Sequence, residues 1–251
     1  MYSDIVDLRD FYQGPLGRAA RHLLRARVAE LWPSVAGERV LVLGYGAPLL
    51  RPWLGQAYAS YAFMPAAQGV SYWPREGPNV ACLVDAENLP LPDASIDRVI
   101  ALHALEAVAE PGPMLREIWR VMKSGARFLA VVPNRHGLWA HSDRTPFGSG
   151  QPYSLHQMKT ALHQQGFLVE RARHALYMPP SSSRLNLSLA ARVETIGARL
   201  FPGFGGLLLV EAGKQLYAPR AGRKAQRHRL ILPLPLPAAA PVPATRWGET
   251  V

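Results

Sequence analysis

The residues best suited to chemistry fall in three stretches. In VLVLGYGAPLL, Gly44 and Gly46 flank Tyr45 directly after the apolar run at 40–43. Glycines so spaced allow a tight turn and let backbone approach a ligand closely. In VDAENLPLPDASIDRVIALHAL, Asp85 ends one apolar run and His103 ends the next. A carboxylate can accept from a ligand's N–H or O–H, and an imidazole can exchange a proton near neutral pH. The third stretch, 134–148, gathers Arg135, His136, Trp139, His141 and Arg144. A loop of that make-up can contact substrate, an arginine holding an anionic group. Its plainer reading is an ordered Ω-type lid without chemistry. The spacing of His136 and His141 is not a metal-binding pattern, so no metal site is expected. The one cysteine, Cys82, excludes an internal disulfide and is read as a small buried residue of its strand.

Elements must position these groups. Asp4 can cap a short helix that Gly14 and Pro15 end. Apolar residues at Leu16, Ala20, Leu23, Leu24, Val28 and Leu31 predict a helix over 16–32. Arg18, Arg21, Arg25 and Arg27 occupy its other side and are read as a solvated face. Apolar runs predict strands at 40–43, 57–64, 80–84, 96–102, 127–132, 167–177 and 207–217. Helices are predicted from about 49, over 113–122, from the capping box Ser154/Gln157 to about 164, and over 185–200. The alternation predicts an α/β, Rossmann-like three-layer sandwich with a mostly parallel seven-stranded sheet. Right-handed crossovers then put the loops after each strand along one edge, where ligands bind.

The segment VDAENLPLPDASIDRVIALHALEAVAEPGPMLREIWRVMKSGARFLAVVPN resembles class I S-adenosylmethionine-dependent methyltransferases of the type 11 kind. The residues that carry the likeness are Asp85, Leu89-Pro90, Asp97, Gly125 and the strand at 128–132. The resemblance spans about residues 40–177 and is closer in its second half. It implies S-adenosylmethionine as cofactor. Gly44 and Gly46 would line the methionine and ribose portion, Asp85 and Ala86 the adenine, and Tyr45 and Met64 would also contact the cofactor. His103 would border the methyl-transfer centre, or serve as an ordinary core histidine. His103 or His141 would act as base where one is needed. Asp97 is read as structural and Glu106 as a helix-face residue. The first half departs from the family: Val42 and Pro48 replace an acid and a third glycine, and no Asp or Glu occurs from 40 to 75. The carboxylate that normally holds the ribose is thus missing, with backbone groups or Gln68 as its substitute. Binding without that charge-assisted bond is expected to be weaker.

At 251 residues the chain can bury one full core. No apolar run is long enough to span a bilayer. The mixed, acidic N-terminus is not a signal peptide, and a cytoplasmic protein is expected. The reading of the chain is a domain over 1–219, with N-terminal helices at 1–36 and a helical insertion at 181–202. A basic, Pro-rich, disordered tail over 220–251 follows. From 212 onward seven Lys/Arg face one acid, so +6 of the net +10 lies there. Such a tail solubilises, or seeks an acidic protein or RNA. Three functions follow: methyl transfer to a small molecule, a weakened methyltransferase fold used for interaction or assembly, and RNA binding or methylation.

Overall fold

The computed structural model describes residues 4–214. The boundary at 219 and the basic tail lie outside them. Asp4 accepts from the Val6 amide at 2.7 Å and opens α1 (Ile5–Gln13). Gly14 and Pro15 break the chain and start α2 (Pro15–Leu31). There follow β1 (Arg39–Gly44), α3 (Ala47–Leu50), β2 (Ala59–Pro65), β3 (Ala81–Val84) and β4 (Ile96–Leu102). The second half holds α4 (Gly112–Val121), β5 (Met122–Pro133), α5 (Leu155–Gln164), β6 (Phe167–Ala175), α6 (Arg184–Leu200) and β7 (Leu207–Lys214).

The seven strands form one sheet in the order β3-β2-β1-β4-β5-β7-β6. β1 to β5 are parallel, and β7 runs antiparallel to both β5 and β6. Strand residues alternate between two cores. Val40, Val42, Ile100 and Leu102 pack with α1, α2, α3 and α6. Leu41, Leu43, Val99 and Ala101 pack with α4 and α5 on the other face. Both faces are covered, which is why these strands read as unbroken apolar runs. The parallel strands all end at one edge, and Gly44 and His103 stand there.

Several expectations are corrected. The helix expected from about 49 is a single turn, α3, followed by a 3-10 turn at Arg51–Trp53. Pro48 is tolerated in the first turn, but Pro52 supplies no amide hydrogen for the next, so the helix does not propagate. β5 begins at Met122, five residues early, because the chain extends straight out of α4. Cys82 is exposed rather than buried, since β3 is the sheet's outermost strand. The arginine face of α2 is only partly solvated: Arg18 is exposed, but Arg21, Arg25 and Arg27 are half-buried. The capping box is present, with the Ser154 hydroxyl accepting from the Gln157 amide at 3.2 Å.

Across the first core, the Trp32 indole donates to Glu211 Oε1 at 2.8 Å. Arg171 donates to Glu211 Oε2 at 2.5 Å. Glu211 is fully buried in β7, and these two donors satisfy its charge. The pair ties the end of α2 to β6 and β7.

Candidate active site at the sheet edge

The glycine turn is shaped by the fold itself. Gly44 has φ +85°, and a Cβ there would meet the Leu102 carbonyl of the neighbouring strand. A Cβ on Gly46 would collide with Val42 Cγ1. Tyr45 between them is buried, its ring stacked on Tyr12 at 5.5 Å. Burial pushes the Tyr45 phenol up to about 12.

One residue past β4, His103 adopts φ +56°, a left-handed conformation that is costly for a side chain with a Cβ. The residue is 3% exposed. Nε2 lies 2.9 Å from the Tyr12 hydroxyl, and Nδ1 lies 3.2 Å from Glu106 Oε1. Burial raises the Tyr12 phenol well above its ordinary value, so it stays protonated and can donate to Nε2. That assigns the ring proton to Nδ1, facing the carboxylate. Glu106 belongs to a 3-10 turn, not a helix face, and is 4% exposed. Its two oxygens make no hydrogen bond among the described residues; the Nδ1 contact is close but poorly aligned. Phe147 covers the ring at 4.6 Å between centroids. Tyr12, His103 and Glu106 thus form a buried polar chain at the sheet edge, carried on a strained backbone.

The residues expected to hold the cofactor divide into an open set and a covered set. Asp85 is exposed after β3, and its Oδ1 accepts from the Glu87 amide at 2.9 Å. Ala86 beside it is nearly buried. Gln68, three residues past the end of β2, is the substitute expected for a ribose carboxylate. Its Nε2 donates to the His103 carbonyl, while its buried Oε1 has no partner among the described residues. An unpartnered buried acceptor there fits a nucleoside hydroxyl, as the exposed Asp85 fits an adenine amine. Gly44, Gly46, Met64 and His103 are all buried, with Tyr12 lying over Tyr45 and His103. The nucleoside side therefore fits S-adenosylmethionine, and the methyl side is closed by α1.

The polar loop divides likewise. Trp139 is fully buried, donating to the Met178 carbonyl at 2.7 Å and packing edge-on against Phe147. It anchors the loop in the core and offers no surface to substrate. Arg135, His136, His141 and Arg144 are exposed. His141 bonds the Arg135 carbonyl at 3.0 Å. Asp97 is a structural link, accepting from the Arg39 amide at 2.9 Å and pairing with Lys123 at 2.7 Å. Sequence reasoning missed Tyr12 and Glu106. Glu106 follows His103 by three residues, which is a visible signal. Tyr12 reaches the site only through tertiary packing.

A sheet of this order with one antiparallel strand is the class I methyltransferase architecture. Residues 41–130 match the family model described as a methyltransferase domain. Over those residues the chain is similar to the methyltransferase domain family, and its sheet has the fold of S-adenosylmethionine-dependent methyltransferases. Solved structures show the same fold at low identity. An S-adenosylmethionine-dependent methyltransferase of Thermotoga maritima, described as a possible histamine N-methyltransferase, is 16% identical. The match covers 84% of this chain and 96% of that one, with a TM-score of 0.61. A Haloferax volcanii complex of the Trm112 methyltransferase activator with a putative methyltransferase matches at 19% identity, 84% and 99% coverage, and a TM-score of 0.55. An Archaeoglobus fulgidus S-adenosylmethionine-dependent methyltransferase matches at 20%, covering 77% and 94%, with a TM-score of 0.55. No curated protein matches the sequence. No helix among the described residues is long and apolar enough to cross a membrane.

Proposed function

We propose that this chain transfers the methyl group of S-adenosylmethionine to a small-molecule acceptor. The observation that carries the reading is the buried Tyr12–His103–Glu106 chain at the ligand-binding edge of a methyltransferase sheet. The cofactor, when bound, supplies an already activated methyl group, so the protein's work is chiefly positioning. Asp85, Ala86 and Gln68 would hold the nucleoside. An acceptor N–H or O–H sheds a proton as it is methylated. His103 Nε2 would hold that proton once α1 and its Tyr12 hydroxyl move aside, with Glu106 facing Nδ1. Gln68 in place of a carboxylate predicts a weaker hold on the ribose.

Calorimetric titration with S-adenosylmethionine and S-adenosylhomocysteine tests this. Saturable binding abolished in Asp85→Ala but kept in Asp97→Asn supports the site. Absence of heat and of thermal stabilisation at millimolar ligand sinks the reading.

The closed methyl side favours a second reading, a fold kept for interaction or assembly. Leu185, Ile196, Leu200, Phe201 and Phe204, on and just after α6, are exposed apolar residues suited to a protein partner. The Haloferax volcanii methyltransferase of similar fold is itself held by a protein activator. Under this reading, full-length protein fails to bind either nucleoside yet co-purifies with a stoichiometric partner, and Leu200→Asp abolishes the association.

A further inference from the structure

Arg21 and Arg25 stand one turn apart on α2, and the fold brings three more guanidinium groups to them. Arg9 comes from α1, Arg51 follows α3, and Arg75 lies between β2 and β3. All five line one cavity of about 170 Å³. The single carboxylate on its wall, Glu76, already pairs with Arg51 at 2.9 Å, and Arg9 pairs with Asp10 at 3.1 Å. Like charges at that helical spacing repel. Among the described residues Arg21 and Arg75 form no ion pair that offsets the crowding. Arg25 is half-buried, with its Nε donating to the Pro48 carbonyl at 2.7 Å. Burial, together with Arg21 and Arg51 nearby, lowers its pKa from the usual value. The aromatic rings of Tyr12 and Tyr45 form an inner wall.

We propose that this cavity binds the phosphate or diphosphate group of a small phosphorylated molecule. The guanidinium fork matches phosphate oxygens two at a time, and several forks converge on one small concavity. Phosphate brings negative charge without a cation. The methionine end of S-adenosylmethionine carries an ammonium and a sulfonium beside its carboxylate, and a wall of five arginines repels it. The small volume of the cavity favours a compact ligand over a polymer. Tyr12 belongs both to this wall and to the chain through His103. Resting on the methyltransferase reading, the phosphorylated molecule is the acceptor; the binding itself stands without that reading.

The test is calorimetry on the full chain at fixed ionic strength, with inorganic phosphate and pyrophosphate as probes and no cofactor present. Saturable binding is expected, tighter for pyrophosphate. It should weaken at least tenfold in the Arg21→Ala/Arg75→Ala double variant and hold in Arg192→Ala/Arg199→Ala, which removes an equal charge from exposed helix surface. Circular dichroism melting confirms that the variants fold. No saturation at millimolar pyrophosphate, or equal loss in Arg192→Ala/Arg199→Ala, overturns the proposal. So does a single-stranded oligonucleotide that binds more tightly than pyrophosphate with a steep salt dependence, since the cavity then serves a polymer. Pyrophosphate binding without S-adenosylmethionine binding removes only the methyl-transfer reading, and the reverse result removes only this one.

Discussion

The Tyr12 hydroxyl stands 2.9 Å from His103 Nε2, joining the first helix to the end of the fourth strand across 91 residues. Neither group has a comparable alternative in water, because both are nearly inaccessible. The contact makes α1 a cover over the sheet edge and fixes the imidazole between a phenol and a carboxylate.

Removing that hydroxyl leaves a buried acceptor unpaired. Tyr12→Phe should cost about 1–3 kcal/mol in urea unfolding. Tyr12→Ala also uncovers the methyl side. If α1 acts as a cover, S-adenosylmethionine should bind more tightly to the alanine variant than to the phenylalanine variant. Equal affinities in calorimetry would show that the cover does not compete with the cofactor.

The glycine turn separates two kinds of cost. Gly37 has φ +75°, and a Cβ added there would meet no atom within 4 Å. Gly37→Ala therefore carries only the backbone penalty of about 1–2 kcal/mol. Gly46→Ala meets Val42 and Gly44→Ala meets the Leu102 carbonyl, so each should lose more. Thermal melts of the three variants rank them, and a larger loss for Gly37→Ala would contradict the packing described here.

Glu211 lies fully buried between Trp32 and Arg171. Breaking this arrangement from the acid's side leaves a buried indole N–H and a guanidinium without their partner. Glu211→Ala should cost about 3–5 kcal/mol. Trp32→Phe should cost less, and a double-mutant cycle should return a coupling of about 0.5–3 kcal/mol. Additive losses would mean that the 2.8 Å contact contributes nothing.

His174 on β6 is half-buried, and burial lowers its pKa below the ordinary value of about 6.5. The unfolded chain therefore takes up a proton at this residue more readily than the folded one. Stability falls as pH drops through about 6.5 toward the folded value. His174→Gln has no proton to bind. Its melting temperature should change less than that of the parent between about pH 7.5 and 5.5, and an identical pH profile would remove His174 as a source of acid sensitivity.

The sequence by itself determined the architecture. Residues 40–43 read as a buried strand because β1 is covered on both faces, and Ser154 with Gln157 marked the start of α5 through purely local capping. The pattern from Asp85 to Asn134 carried the methyltransferase resemblance because turn and strand chemistry there is also local. Local signals also misled where neighbours decide. Cys82 sits in its strand, but on an outermost strand its side chain meets solvent. Arg21 and Arg25 look like any solvated helix face until α1, α3 and the segment before β3 close around them. Trp139 resembles a substrate contact until its indole finds the Met178 carbonyl. His103 was visible as a residue, yet its partners were not: burial by Phe147, the approach of Tyr12 and the strained backbone that aims it at Glu106 all arise from packing. Periodicity encodes which face of an element is apolar, and so it fixes the layers. Which charged groups those layers press together depends on contacts far apart in the chain, and only the tertiary structure decides them.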